Sequence, residues 1–482
     1  MSSSPSRPTT TVEELLQISP VAEELAARFT DAGHRLYLVG GSVRDALLGR
    51  LGADLDFTTD ARPGDILKIL SGWTDAVWDI GIAFGTVGAS KRGVTCEITT
   101  FRADSYDRVT RNPEVRFGDS IVDDLVRRDF TVNAMAIDLS TRQFIDPYGG
   151  ASALAERRLD TPATPEESFA DDPLRLMRAA RFVSQLGFQP APRVLAAMTA
   201  MSEQITRVTV ERIQVELSKL LLGSHARAGV ELLVDSGLAD HVLPEVPAMR
   251  LEIDEHHQHK DVYQHSLVVL DQAIDLEEPD SEPDLVLRLA ALLHDIGKPD
   301  TRRHIPDGGV SFHHHEVVGA KLTRKRLRAL RYAKDVVDDV AKLVYLHLRF
   351  HGYGRGEWTD SAVRRYVTDA GELLPRLHKL VRADCTTRNR RKAATLQRTY
   401  DELEERIARI AAEEDLARVR PDLDGNEIMR LLGIPPGPLV GQAWTHLKEL
   451  RLDRGPLEHD EAVAELLRWA AERGITAPGA DG

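Results

Sequence analysis

At 482 residues the chain is longer than one compact core usually supports, so several domains are expected. Hydrophobic residues make up 42% and charged residues 29%, and no apolar run approaches the roughly 20 residues of a membrane span, which argues against a membrane protein. A net charge of −14 counts against a nucleic-acid partner on its face, although such binding follows the local field and not the total.

The start, "MSSSPSRPTTT", has no apolar segment of signal-peptide type, and Cys96 and Cys385 lie far apart in sequence. This reads as a cytoplasmic protein with reduced thiols. Residues 1–33 read as a loose start followed by a helix that ends at Gly33, a C-cap. "HRLYLVGG" then alternates up to a glycine pair, "TVGASKRGVTCEITTFRAD" is rich in Thr and Val around short turns, and "FTVNAMAIDLSTRQFIDPYGG" runs into a Pro-Gly turn. These predict strands with intervening helices over 34–150. Leu, Ala, Arg and Glu at helical spacing dominate the remainder, with joints at "TPATPEESFADDP", "LEEPDSEPD" and "RVRPDLDGNEIMRLLGIPPGPL". The fold class expected is α+β: a mixed head on a mostly helical body.

Within the head, "LVGGSVRDALLGRLGADLDF" occupies residues 38–57. If "DLDF" is a strand, Asp54 and Asp56 at i and i+2 leave the same face. Two like charges so placed repel unless a cation neutralises them, and Mg²⁺ binds through one or two carboxylates while retaining water and phosphate ligands. Upstream, Gly41 belongs to a turn that lets backbone N–H groups approach a phosphate, and Arg44 offers forked donors to its oxygens. Together they resemble a site for metal-assisted nucleotidyl transfer.

These residues resemble the signature of the DNA polymerase β-like nucleotidyltransferases, specifically the class II CCA-adding (tRNA nucleotidyltransferase) and bacterial poly(A) polymerase family. "RRDFTVNAMA", "FIDPYGG", "DDPLRLMRAARF" and "TVERIQVELSKLL" are similar to its later motifs, in order. The resemblance covers residues 34–222 and, more loosely, the rest. It implies a head over 34–150 and a nucleotide-reading neck over 151–230. An HD-type domain over 231–400 and a helical tail over 401–482 that contacts tRNA complete the expectation.

Asp172 and Arg175 are three apart, hence neighbours on one helix face, and Arg178 and Arg181 continue the same stripe. Arg can donate to a ring nitrogen of cytosine or adenine while Asp accepts from the exocyclic amine; uracil and guanine present a carbonyl there instead. The resemblance implies this protein-templated choice of CTP and ATP, with Arg178 and Arg181 on phosphate or base. The bland alternative is a surface ion pair at a helix start. The family has Glu where Asp171 stands, a departure that bears on how Arg175 is oriented. Arg128 is expected on the triphosphate or base, with Asp129 and Asn133 bracing it; equally, Arg128 and Asp129 could pair with each other. Glu97 is either a third carboxylate near the metals or one polar residue of an alternating strand.

Further on, "ALLHDIGK" places His294 and Asp295 after an apolar stretch, with His265 before and Asp384 after. The order resembles the HD phosphohydrolase superfamily, which implies a divalent metal, and imidazole with carboxylate suits Mn, Ni, Fe or Zn. His315 and His347 fall between and supply enough ligands for a second ion; each alone could be an ordinary core histidine. The stretch "KLTRKRLRALRYAK" at 321–334 has seven basic and no acidic residues, and "RNRRK" at 388–392 adds four more.

The function expected is template-independent addition or repair of the tRNA 3′-terminal CCA from CTP and ATP, with an HD phosphohydrolase activity in the same chain and no obligate protein partner. The runner-up is a poly(A) polymerase or an enzyme adding only CC or only A. Residues 103–120 are the expected flexible loop bearing on that choice. Two readings of other classes are an HD metal-dependent phosphohydrolase with an inactive head and a non-enzymatic RNA-binding protein.

Overall fold

The computed structural model describes residues 19–50, 52–79, 81–82, 85–101, 118, 120–250, 261–304, 310–353, 358–386, 390–413 and 420–475. Most of the expected flexible loop at 103–120 lies outside them. The chain divides into two compact units, with the division between Val242 and Leu243.

The first unit is built on a seven-stranded sheet in the order β3-β4-β5-β2-β1-β6-β7. Its strands are β1 (Leu36–Val39), β2 (Asp54–Thr59), β3 (Ala76–Trp78), β4 (Thr86–Lys91), β5 (Val94–Thr100), β6 (Ala136–Asp138) and β7 (Phe144–Ile145). β2 and β5 run parallel, and the other pairs are antiparallel. In β2 the buried Leu55 and Phe57 alternate with Asp54 and Asp56, so one face enters the core and the other presents both carboxylates. The register sets Asp56 opposite Glu97.

The Pro20–Asp31 helix starts at Ser19, whose hydroxyl caps the Ala22 N–H, with proline at its first position. Its Val21, Leu25, Ala26 and Phe29 recur at helical spacing and join the core formed by Leu38, Leu55 and Ile98. This helix is therefore part of the head, not a separate extension over 1–33.

After the sheet the same unit becomes helical through Leu174–Leu186, Val210–Leu221, Ala226–Asp235 and Leu238–Val242. The domain boundary expected at residue 230 falls inside the Ala226–Asp235 helix. Val230, Leu233, Leu238 and Val242 are buried within this first unit, which carries the neck to Val242.

The second unit holds the helices Val262–Asp275, Leu285–Leu293, His315–Ala329, Lys334–Leu346 and Leu374–Asp384. The boundary expected at residue 400 lies within the continuous Arg390–Glu413 helix. Three further helices, Gly425–Leu432, Pro438–Arg454 and His459–Ala471, close around a core of their own that includes Ile428, Leu447, Leu466 and Trp469.

At the β3–β4 edge, Trp78 lies across Gly88: a Cβ at 88 would sit 1.9 Å from the indole Nε1. Gly88→Ala is expected to destabilise the head by about 1–3 kcal/mol through overpacking, read as a lower calorimetric Tm.

Candidate functional site

β1 ends at Val39 and delivers Gly40, whose φ of 68° lies in the left-handed region that favours glycine. A Cβ there would stand 2.8 Å from Arg128 Nη1 and 3.7 Å from Asp56 Oδ2, so the turn passes close over both. Ser42 ties this turn to β2: its hydroxyl accepts the Asp56 N–H at 2.9 Å and donates to the Asp54 carbonyl at 3.4 Å. Ser42 has only its place after the glycine pair to mark it in sequence.

Burial raises the Asp56 carboxyl above its ordinary value; Arg128 opposes this and Glu97 reinforces it. Asp54, Asp56 and Glu97 thus form an oxygen-only acidic set whose charge Arg128 offsets in part. That donor chemistry fits Mg²⁺.

Arg44 is buried, and its guanidinium is forked onto Asp45 at 2.9 and 2.7 Å and donates to Asn133 Oδ1 at 2.7 Å. It braces the cavity wall from within, where the sequence suggested phosphate contact. Arg128 pairs with Asp124 at 3.0 Å, and Asp129 pairs with Arg178, so the adjacent Arg128–Asp129 pairing is not the arrangement adopted. Asp129 accepts from the Phe130 N–H at 2.8 Å, Asn133 Nδ2 at 2.9 Å and Arg178 Nε at 2.8 Å. Burial opposes its ionisation, but Arg178 and these donors hold the carboxyl well below the usual range. Glu216 accepts Arg181 at 2.9 Å and lies 3.7 Å from Arg178. Arg181 also packs over the Phe182 ring at 4.3 Å. Burial, with Arg178 beside it, lowers the Arg181 guanidinium to about 10. Glu216 was missed because nothing in its local spacing announces an arginine distant in sequence, whereas Asp124 carries a readable signal in its i,i+3 and i,i+4 spacing to Arg127 and Arg128.

Asp172 and Arg175 are placed differently from the helix-face expectation. Asp172 has extended backbone between two helices, with φ −137° and ψ 100°, because Pro173 follows it. Its carboxylate accepts the Leu174 N–H at 3.1 Å and Arg212 at 3.0 Å. Arg175 donates to Ser168 Oγ at 2.8 Å and to the Arg127 carbonyl at 2.6 Å. Asp171 is the last residue of the Pro165–Asp171 helix and is exposed.

A cavity of about 810 Å³ opens between the glycine turn and the Leu174–Leu186 helix. Gly41, Asp54, Asp56, Arg128, Arg178 and Arg181 are among its lining residues; Asp172 and Arg175 lie outside it.

In the second unit, His265 Nε2 lies 2.8 Å from Asp384 Oδ1 and 3.3 Å from His294 Nε2. His315 Nε2 lies 3.2 Å from Asp295 Oδ1 and 3.3 Å from His347 Nε2. Two ligand groups result, His265, His294 and Asp384 in one and Asp295, His315 and His347 in the other. The other oxygen of Asp295 reaches His294 at 3.1 Å, so this carboxylate spans both. Nδ1 of His294, His315 and His347 faces the backbone carbonyls of Ala291, Phe312 and Val344 at 2.9, 2.8 and 2.6 Å. A proton on each Nδ1 leaves Nε2 as a lone pair aimed inward. Burial, with His294 beside it, pushes His347 down to about 3, keeping that imidazole neutral. Burial opposes protonation of His294, yet Asp295 and Asp384 carry it up to about 9. Nitrogen–oxygen donors of this kind suit a divalent transition metal. Lys298 adds a fixed cation 2.9 Å from Asp295.

A mixed sheet that presents paired carboxylates beneath a glycine turn, with a helical neck closing the cavity, defines a nucleotidyltransferase. The family described as "Poly A polymerase head domain" matches residues 36–160, "Probable RNA and SrmB- binding site of polymerase A" matches 187–249, and "HD domain" matches 262–389. An A-adding tRNA nucleotidyltransferase of Deinococcus radiodurans is 35% identical over 446 residues, 90% of this chain and 95% of that one. A CCA-adding enzyme of Anoxybacillus flavithermus is 41% identical over 222 residues, 46% of this chain. The chain spans about half the length of that relative, 54%. The Bacillus stearothermophilus CCA-adding enzyme, solved in complex with CTP, superposes with a TM-score of 0.66 at 27% identity, covering 94% of this chain and 98% of that one. The chain belongs to the tRNA nucleotidyltransferase and poly(A) polymerase family, in the form that carries an HD domain.

Among the described residues no helix is long and apolar enough to cross a membrane.

Two outcomes follow from this geometry. Asp295→Ala is expected to empty both ligand groups of the HD unit, and Asp384→Ala only the one containing His265, by elemental analysis of the full chain. Asp129 has a depressed pKa, so its contribution is complete above the unfolded value of about 3.9 and is lost as pH falls below it. Asp129→Ala should therefore cost about 3 kcal/mol near neutral pH, by leaving Arg178 without its buried partner, and flatten the acid limb of a denaturant-unfolding series.

Proposed function

We propose that this chain extends tRNA 3′ ends from CTP and ATP without a nucleic-acid template, building or repairing the terminal CCA. The observation that carries this reading is the Asp54–Asp56 pair held beneath the Gly40–Gly41 turn by Ser42, with Arg128 beside it. Asp54, Asp56 and Glu97 would hold Mg²⁺, which when bound offsets their repulsion, activates the attacking 3′-hydroxyl and stabilises the leaving pyrophosphate. The glycine turn gives the triphosphate close access to backbone N–H groups, and Arg128 neutralises its charge. Base choice rests on Asp172 and Arg175, which in this reading exchange Arg212 and Ser168 for the Watson–Crick edge of cytosine or adenine. Arg178 and Arg181, braced by Asp129 and Glu216, present guanidinium groups to the base or the phosphates.

A second reading, addition of the terminal A alone, is favoured by one finding: the Deinococcus radiodurans relative, aligned over 95% of its length, is named as A-adding. The HD unit adds metal-dependent hydrolysis of phosphate esters or 2′,3′-cyclic phosphates at RNA 3′ ends. Its two ligand groups would hold Mn, Ni, Fe or Zn.

The test supplies each labelled NTP with Mg²⁺ to tRNA transcripts ending at the discriminator base, at C, at CC and at CCA. Addition of C, C and A followed by arrest is the expected result. A alone on the CC transcript would establish the second reading, and runs of A would identify a poly(A) polymerase. Asp54→Asn and Asp56→Asn should each lower kcat by at least about 100-fold. Arg175→Ala should admit UTP and GTP, seen as misincorporation on the same transcripts.

A further inference from the structure

In-line transfer to a hydroxyl places the attacking oxygen and the leaving pyrophosphate on opposite sides of the reacting phosphorus. A cavity serving it must therefore hold two polyanions, the triphosphate and the end of the acceptor strand. The glycine turn and Arg128 serve the first. The remainder of the cavity runs along one stripe of the Leu174–Leu186 helix, from Arg178 past Phe182 to Gln185 and Leu186. It ends against Lys219, Leu222 and Ser224, where the Val210–Leu221 helix turns into the next one.

That far end is built unlike the rest. Gly223 lets the turn press on the neighbouring helix: a Cβ there would stand 2.1 Å from Ser184 Oγ and 2.8 Å from the Ser184 backbone. The His225 N–H donates to the Ser184 carbonyl at 2.8 Å and pins the same contact. Against this rigid wall the half-buried Gln185 amide has no hydrogen-bond partner, and Lys219 no carboxylate, among the described residues. Gln185 lies about 10 Å along the helix from Arg178, beyond the guanidinium groups tied to Asp129 and Glu216. An apolar floor of two leucines, a neutral amide able both to donate and to accept, and a single exposed cation suit one nucleotide of a single strand with its phosphate. They do not suit a triphosphate, which would require more positive charge.

We propose that Leu186 and Leu222, with Gln185 and Lys219, form the subsite for the 3′-terminal nucleotide of the acceptor RNA, distinct from the site of the incoming nucleotide. Gln185 and Lys219 are positioning residues: they hold the acceptor so that its terminal hydroxyl faces Asp54 and Asp56. The inference rests on the nucleotidyltransferase reading of the same cavity.

The experiment uses the full chain and measures initial rates against tRNA acceptor at saturating NTP, and against NTP at saturating acceptor. Gln185→Ala combined with Lys219→Ala should raise KM for the acceptor by about tenfold, the usual effect of removing two hydrogen bonds. KM for the nucleotide should stay within about twofold, while kcat should fall with the placement of the acceptor hydroxyl. Lys219→Arg should recover the acceptor KM, and Lys219→Ala should reduce the salt dependence of acceptor binding by about one phosphate contact. A rise in nucleotide KM alone would assign these residues to the incoming nucleotide, and unchanged constants would leave them a solvated rim; either overturns the proposal. A wild-type chain that incorporates nothing would instead count against the nucleotidyltransferase reading itself.

Discussion

The ion pair between Asp129 and Arg178 joins the sheet-based head to the helical neck. A carboxylate taken out of water is costly unless its lone pairs are filled, and here a backbone N–H, an amide and a guanidinium fill them. The bracing then spreads outward. Asn133 donates to Asp129 and accepts from Arg44, which is forked onto Asp45 within the Gly41–Leu47 helix that follows the glycine turn. On the other side Arg178 approaches Glu216, which holds Arg181 against Phe182. One buried charge thus sets the position of the turn that approaches a phosphate and of the helix stripe that lines the cavity. A partner truncated anywhere in this network leaves another charge buried, so the geometry is strongly specified.

The two centres are built from different donors. In the head the donors are carboxylates only, arranged by strand periodicity and parallel register, which favours a hard cation that keeps waters for substrate exchange. In the HD unit, imidazoles from separate segments converge, and backbone carbonyls three residues before His294, His315 and His347 select the tautomer that turns each Nε2 inward. Asp295 reaches both histidine groups, so one carboxylate links the two sets of donors. In the function proposed, one chain carries two chemistries of phosphate esters, formation in the first unit and hydrolysis in the second, without shared ligands.

How far a residue's role could be read from the sequence depended on the range of its interactions. Asp54 and Asp56 were legible because side chains two apart on a strand must share a face, whatever surrounds them. The glycine pair was legible because a left-handed turn close to other side chains tolerates little else. His294 and Asp295 were legible through their order with His265 and Asp384. The helix-face picture of Asp172 and Arg175 failed locally, since Pro173 holds the preceding residue in extended conformation. The boundary at 33 followed a change of sequence texture and those at 230 and 400 the family resemblance, and neither registers packing: the Pro20–Asp31 helix joins the head core and the Ala226–Asp235 helix the first unit.

Spacing within single strands and turns, together with motif order, was enough to establish a two-centre α+β chain with a nucleotidyl-transfer head and an HD body. Which cation each carboxylate finds was settled only by tertiary packing. Asp129 finds Arg178 on the neck helix, Asn133 takes a guanidinium N–H from Arg44 across 89 residues of chain, and Glu216 gathers two arginines from another helix. The physical reason is that backbone geometry dictates direction over a few residues, whereas ion pairing is decided by desolvation and by whichever charges the folded chain brings within reach.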